Sequence, residues 1–495
     1  MKTAPVFLAA HIRALEHWAQ AQSAPPPLME RAGLATAELA QQLLGARSRR
    51  ILVLAGPGNN GGDALVAARH LKSAWFDVQV VFTGNGAKLQ ADARAAFDAW
   101  REAGGTLHAT LPEHWRWDFA LDGLFGIGLS RPVDARHAQL INALNAAGKP
   151  VLSIDLPSGL DADTGRVHGA AVRATHTITF LGLKAGLYTL EGPDHAGVIH
   201  LDRLGVEHAP LPTDHGLLIG DDVIASALPP RARNSHKGLF GDVGVLGGSV
   251  GMVGAALLAA RTALRLGAGR VLVGLLADGP KVDPLQPDLM LRPAEEVLAR
   301  PKLGCAVIGP GLGQSPVARR LLDKGLSLDA PVVLDADALN LIAAEHALRA
   351  AVVRRATPTL LTPHPAEASR LLGTTVEQVQ GDRIAAACTL AGQFKAFVVL
   401  KGAGSVCATP DGRWHINTSG NPGMSSAGMG DVLAGILGAL LAQGASPERA
   451  LLAGVRVHGL AADDLVAAGI GPVGLTASET IDAARAAWNR LASKG

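Results

Sequence analysis

Short apolar runs alternate with amphipathic segments along most of the chain. Runs at 51–54, 78–82 and 119–124 are separated by stretches of helical period at 64–73 and near 89–102, and runs at 151–154 and 177–180 extend the series. Four to six apolar residues bounded by turn formers read as a strand buried on both faces, and strands alternating with helices predict a parallel sheet covered on both sides. Between about 201 and 230 the pattern lapses into a polar stretch carrying Pro210, Pro212, Pro229 and Pro230, a candidate boundary. It restarts with runs at 243–246, 271–275, 306–308, 332–334, 359–361 and 398–400, each followed by a glycine, aspartate or histidine turn. The prediction is an α/β protein of two doubly wound domains, with ligands at the carboxyl ends of the strands.

The length of 495 residues exceeds what one hydrophobic core usually supports, in keeping with two domains. With 48% hydrophobic and 18% charged residues the chain belongs among compact folded proteins, and 59 glycines suit many strand-to-helix turns. A net charge of +2, 4% aromatics and a single tyrosine supply neither the field nor the stacking surface of a nucleic-acid binder. Cys305, Cys388 and Cys407 have no metal-like or paired spacing and read as structural thiols of a reducing compartment, the cytoplasm. The first apolar run, 6–10, is interrupted by His11, Arg13 and Glu16, so neither a signal segment nor a membrane span is expected.

Two glycine-rich stretches concentrate the chemistry. Ser425-Ser-Ala-Gly-Met-Gly-Asp431 runs directly into an apolar helical segment. A glycine turn opening a helix aims backbone N–H groups and the positive end of the helix dipole at one point, where a phosphate can sit, and the aspartate at its end can take a proton from an alcohol. Far upstream, Gly56-Pro-Gly-Asn-Asn-Gly-Gly-Asp63 follows a strand and opens a helix, with a spacing that departs from the dinucleotide fingerprint. Asp122, Asp155 with Ser158, and Lys184 follow later strands, so a parallel sheet would gather them at one edge, where a lone aspartate would otherwise read as a helix cap.

Asn59-Asn-Gly-Gly-Asp63, Asp122, Asp155-Leu-Pro-Ser-Gly159, Phe180-Leu-Gly-Leu-Lys-Ala-Gly186 and Leu28-Met-Glu-Arg-Ala-Gly33 resemble the motifs of the NAD(P)H-hydrate epimerases. The resemblance implies a Rossmann-like domain at 1–215 that interconverts the epimers of NADH or NADPH hydrated at C6 of the nicotinamide ring. It places the hydrated dinucleotide on Asn59, Asn60, Gly61, Gly62, Asp63, Gly126, Ile127, Gly128, Leu129, Ser130, Arg131, Pro132 and Asp155, and potassium on Asn60, Asp122 and Ser158. Amide, carboxylate and hydroxyl oxygens are hard donors, and one carboxylate is too little charge for a tightly held divalent ion. Asp155 is the candidate for proton transfer, with Lys184 as an assistant.

Downstream, Gly248-Ser-Val-Gly-Met-Val-Gly-Ala255, Gly309-Pro-Gly-Leu-Gly313, Thr362-Pro-His-Pro-Ala-Glu367, Lys401-Gly-Ala-Gly-Ser405 and the stretch ending in Asp431 resemble, in order, the motifs of the ADP- or ATP-dependent NAD(P)H-hydrate dehydratases, which are ribokinase-like. The resemblance implies a domain at 222–495 with Ala255, Gly313, His364 and Asp431 around the hydrated dinucleotide, and Lys401, Gly402, Ala403, Gly404, Ser405 and Gly430 around ADP. Asp431 would take the C6 hydroxyl proton as a phosphoryl group arrives, and magnesium is expected with the nucleotide. Asp335-Ala-Asp-Ala-Leu-Asn340 reads either as a post-strand helix cap or as a contributor to the metal. The resemblance further implies a homo-oligomer, a tetramer. Alanine stands where these families usually have glycine at Ala64, Ala366 and Ala427, a strain if any of those backbones needed positive φ.

Two rival readings stay open on the residues alone. The anion turn and aspartate also serve kinases of vitamin-precursor alcohols such as hydroxymethylpyrimidine or hydroxyethylthiazole. The first domain could equally be a ligand-sensing module that binds the hydrated dinucleotide without exchanging its epimers.

Overall fold

The computed structural model describes residues 2–22, 26–45, 49–112, 115–206 and 209–492. The chain divides into two compact units, Pro5–His215 and Gly216–Gly495, the latter joined by the start of the chain up to Ala4. Relative to the expected limits, the second unit begins earlier because Gly216–Leu218 pairs as a strand with Trp414–Asn417. The chain start goes with it, since the Thr3 N–H and hydroxyl both donate to Asp222 Oδ1, at 2.8 and 3.0 Å.

In the first unit a seven-stranded parallel sheet runs in the order Leu107–His108, Asp77–Phe82, Arg50–Ala55, Phe119–Gly123, Val151–Ile154, His176–Phe180, Val198–Asp202. Alternate residues of the inner strand Arg50–Ala55 enter different cores. Ile51 and Val53 pack with the helices Leu28–Leu44 and Asn59–Ser73, while Leu52 and Leu54 pack with the helix Ala135–Ala146. Burial on both faces is why these strands are continuous apolar runs. The strand order reverses between Arg50–Ala55 and Phe119–Gly123, and a ligand crevice opens outside the carboxyl ends of strands at such a switch.

The second unit repeats this plan. Met290–Arg292, Arg270–Leu275, Asp242–Gly247, Cys305–Ile308, Val332–Leu334, Thr359–Leu361 and Phe397–Leu400 are parallel neighbours in that order. Phe397–Leu400 then turns back through an antiparallel pair, Ser405–Ala408 and Trp414–Asn417, a departure from the expected all-parallel sheet. The helix Met429–Ala442 is apolar on nearly all sides and lies inside the main core, against Val253–Arg265 and Pro447–Ala467. Among the described residues no helix is long and apolar enough to cross a membrane.

Candidate active sites

In the first unit the helix begins at Asn59, five residues earlier than its periodicity suggests, so Asn59 to Asp63 form its first turn. A helix start with no side-chain cap leaves N–H groups directed into the crevice. Asn60 bridges to the next strand end by donating from Nδ2 to the Phe125 carbonyl at 2.9 Å, while its Oδ1 is buried with no partner. Nearby, Phe125 N–H donates to Ser158 Oγ at 2.9 Å. The fully buried Asp122 carboxylate accepts from Ser153 Oγ and Ser158 N–H, both at 2.8 Å. Burial raises the Asp122 pKa, against the pull of these donors. An orphan amide oxygen, a buried carboxylate and a hydroxyl are hard oxygen donors with one charge among them, a set that fits a monovalent cation such as potassium.

Asp155 follows the strand Val151–Ile154 and is held at φ +67°, in the left-handed region that non-glycine residues rarely occupy, at a cost of order 1–3 kcal/mol. Its N–H donates to the Ile178 carbonyl at 2.7 Å, and Lys184 Nζ donates to its Oδ1 at 2.5 Å. Lys184 is fully buried and also donates to Thr179 Oγ1 and the Phe180 carbonyl, at 2.9 and 2.8 Å. Gly126 closes over Asp155 and Asn60, since a Cβ there would lie 3.2 Å from Asp155 Oδ2 and 3.4 Å from Asn60 Cγ.

Asn60, Asp155 and Lys184 line a cleft of about 800 Å³ that also takes in Asn59, Asp63 and each residue from Gly126 to Arg131, while Asp122 and Ser158 lie outside its lining. Burial, then Asp155 and Glu16, hold the Asp63 carboxyl well above the usual range. The cleft lining excludes Gly61, Gly62 and Pro132. Both glycines serve packing: a Cβ on Gly61 would meet the Gly56 carbonyl at 1.9 Å, and one on Gly62 would meet Met29 Sδ at 2.6 Å. One wall of the cleft went unread in the sequence. It is the helix Ala9–Ala21, whose Arg13, Glu16, His17 and Gln20 share one face at i, i+3, i+4, i+7 spacing, a signal that was available.

In the second unit Gly428, at φ +90°, turns the chain into the helix Met429–Ala442 and sets Asp431 in its first turn. Ala427 and Ala366 both have ordinary negative φ, so neither departure from glycine strains the backbone, and Ala64 lies within a helix. Beneath the turn, Asp335 Oδ1 accepts from Lys401 Nζ at 2.9 Å and from Thr362 Oγ1 at 2.6 Å. A Cβ on Gly430 would lie 3.2 Å from that Nζ and 3.4 Å from Asp335 Oδ2. Asp337 Oδ2 accepts from Gly313 N–H at 2.8 Å. The acidic segment therefore does not cap its helix through a side chain; it organises the site.

Burial, with Asp335 and Asp337 nearby and Lys401 opposing, pushes the Asp431 pKa to about 7. Burial would lower the Lys401 pKa, but Asp335, Glu367 and Asp431 outweigh it and hold the ammonium protonated. His364 is the N-cap of the helix Pro365–Leu372: its Nδ1 accepts from Ala366 and Glu367 N–H at 3.1 and 3.4 Å, and Glu367 Oε2 accepts from His364 N–H at 2.8 Å. Burial and the positive charge of Lys401 lower the His364 pKa, so the ring is neutral with its proton on Nε2. Lys401 to Ser405 form the hairpin turn between Phe397–Leu400 and Ser405–Ala408, closed by Ser405 Oγ accepting from Gly402 N–H at 3.2 Å. Ala255, in the first turn of Val253–Arg265, packs against the Gly311 loop that leads to Gly313.

Residues 26–186 match the YjeF-related protein N-terminus family and residues 243–483 the NAD(P)H-hydrate dehydratase family. The bifunctional NAD(P)H-hydrate repair enzyme Nnr of Coxiella burnetii is 41% identical over 467 residues, covering 91% of this chain and 92% of the relative. The enzyme of the same name from Escherichia coli is 39% identical over 462 residues, covering 91% and 87%. A crystal structure of the ADP/ATP-dependent NAD(P)H-hydrate dehydratase of Bacillus subtilis, co-crystallised with ATP/Mg2+, aligns with 55% of this chain and 98% of its own at 32% identity and a TM-score of 0.49. The chain belongs to the family of bifunctional NAD(P)H-hydrate repair enzymes.

Proposed function

We propose that the first unit interconverts the R and S epimers of hydrated NADH and NADPH, and that the second dehydrates the S epimer at the expense of ADP, giving AMP and phosphate. The observation that carries this reading is a parallel between the units. Each gathers at its strand ends one candidate proton-transfer carboxylate with one buried or partly buried lysine: Asp155 bonded to Lys184, and Asp431 beside the Lys401–Asp335 pair.

In the first cleft Asn59, Asn60, Asp63 and the residues from Gly126 to Arg131 hold the dinucleotide, with Gly61 and Gly62 packing behind them and Pro132 exposed at the end of the Gly126 loop. Asn60 Oδ1, Asp122 and Ser158 would hold potassium, which would supply positive charge to offset that of the anionic dinucleotide. Asp155 moves a proton at the C6 hydroxyl, and Lys184 keeps its carboxylate in place.

In the second site Ala255, Gly313 and His364 position the hydrated ring, and Lys401, Gly402, Ala403, Gly404 and Ser405 with Gly430 receive the nucleotide. Asp431, with a pKa near neutrality, takes the C6 hydroxyl proton as that oxygen attacks the terminal phosphoryl group of ADP and AMP leaves. Phosphate then departs with the C6–O electron pair, the C5 proton is lost, and the C5=C6 double bond of the dihydronicotinamide is restored. Lys401 and Thr362 both donate to Asp335 Oδ1, and magnesium would come with the nucleotide phosphates, whose charge it would offset.

The three cysteines are free thiols, in keeping with a cytoplasmic enzyme. The expected assembly is a homo-oligomer, a tetramer, which light scattering tests. The function is tested with a mixture of both epimers of hydrated NADH, potassium, magnesium and either ADP or ATP. Complete recovery of NADH absorbance, faster than spontaneous epimer exchange, supports both activities; nucleotide consumption only with a pyrimidine or thiazole alcohol contradicts the second.

A further inference from the structure

The helix Ala9–Ala21 carries an ionisable group that the reaction as described does not use. Two hydrogen bonds tie its N-terminal half: Ala9 N–H donates to Asp163 Oδ1 at 2.5 Å, and Arg13 Nη2 donates to the Ile127 carbonyl at 3.4 Å. Ile12 and Leu15, at 2% and 4% exposure, anchor its inner face. Glu16 follows Leu15 directly and lines the same cleft as Asp155 and Lys184, but from a different wall. Its carboxyl makes no hydrogen bond or ion pair to any described residue. A half-buried carboxyl that faces a ligand cleft with no hydrogen-bonding partner is available for proton transfer.

Epimer exchange at C6 needs such a group. Water must leave from one face of the ring and return to the other, and a single carboxylate reaches one face. We propose that Glu16 is the second proton-transfer group of the epimerase, serving the face of the dihydronicotinamide opposite Asp155. This rests on the assignment of the first cleft as the epimerase site. From one epimer, the Glu16 O–H bond breaks and its proton joins the C6 oxygen. The C6–O bond then breaks, water leaves with the electron pair, and the ring-nitrogen lone pair forms an iminium. A water molecule adds to C6 from the other face and gives its proton to Asp155. From the other epimer the two carboxyls exchange roles, and each returns to its starting state by proton exchange with solvent.

The charges facing Glu16 suit the task. Arg13 and His17 lie on its own helix, Asp63 on Asn59–Ser73, and Asp155 and Lys184 at the strand ends. Burial and then Asp155 raise the Glu16 pKa, outweighing Lys184, Arg13 and His17, so its proton is retained to higher pH than on an exposed glutamate.

The test uses the full chain with the pure R epimer of hydrated NADH and potassium, without nucleotide, following appearance of the S epimer. Glu16→Gln is expected to lower kcat for exchange by about 10²-fold or more with KM changed less than about threefold, and to remove the loss of rate on the alkaline side that titration of this acid imposes. Glu16→Asp should keep that limb with a smaller loss. Calorimetric binding of the hydrated dinucleotide shows whether each variant retains a folded cleft, and Glu16→Asp carries the test if Glu16→Gln does not bind. Wild-type kcat in Glu16→Gln, or a raised KM with unchanged kcat, overturns the proposal while leaving the site assignment intact if Asp155→Asn is inactive. Exchange at the wild-type rate in Asp155→Asn overturns the site assignment itself.

Discussion

Lys401 Nζ lies 2.9 Å from Asp335 Oδ1, and the backbone of Gly430, one residue before Asp431, covers the pair so closely that a methyl group there would be 3.2 Å from the ammonium. The cation expected at the nucleotide phosphates and the carboxyl expected to accept the substrate proton are thus tied through one buried aspartate.

Asp335→Asn removes a negative charge that raises the Asp431 pKa and also frees Lys401. The acid limb of dehydratase kcat/KM, set near pH 7 by Asp431 in the parent, should move to lower pH, because a base that is easier to deprotonate stays active further into acid. KM for the nucleotide should rise about tenfold, the scale of one weakened charge contact. Steady-state rates from pH 5 to 9 check both.

Gly430→Ala separates function from stability. Alanine in a helix is favoured over glycine by about 1 kcal/mol, and the atom it crowds is the mobile end of a lysine, so the thermal midpoint should hold or rise. Displacing that ammonium should still weaken ADP binding, which isothermal titration measures; unchanged binding with lowered stability would contradict the geometry.

His364 has two roles that different substitutions separate. Asparagine can cap the helix Pro365–Leu372 as the imidazole does, whereas alanine loses the cap at about 1 kcal/mol. His364→Asn should keep the parent melting temperature and lose dehydratase kcat/KM, while His364→Ala should lose both.

Potassium should stabilise the first unit most at neutral pH. The Asp122 pKa is raised in the fold, so the folded state gains stability below the unfolded carboxylate pKa and loses it as pH rises through the raised value. A cation at Asn60 Oδ1 and Asp122 would offset that loss. Melting of the first-unit transition in potassium against tetramethylammonium should therefore differ more at pH 7 than at pH 4.5, and Asn60→Ala should shrink the difference.

How legible the fold was depended on how each element is buried. Strands covered on both faces, such as Arg50–Ala55 and Cys305–Ile308, are continuous apolar runs and stand out. Val198–Asp202, at a sheet edge with Val198 and Leu201 exposed, and the two-residue strand Leu107–His108 carry no such signature. The glycines and asparagines from Asn59 to Gly62 masked a helix start, since their low helix propensity is overridden by close packing against Gly56 and Met29. Motif residues at strand ends were readable because a parallel sheet brings them to one edge. Asp335 was ambiguous for the opposite reason, because its partners Thr362 and Lys401 come from distant strands that local sequence cannot pair. Glu16 and its neighbours carry no strand-end signature, because their helix lies outside the strand–helix alternation.

The central claim is that both units act on one substrate in sequence, and one measurement tests it most directly. The pure R epimer of hydrated NADH is given to the wild-type chain, to Asp155→Asn and to Asp431→Asn, with potassium, magnesium and ADP, and both epimers and NADH are followed by chromatography. Wild type should convert all of it to NADH, Asp431→Asn should stop at a mixture of epimers, and Asp155→Asn should leave the R epimer to spontaneous exchange. NADH formed at the wild-type rate by either variant would contradict the account.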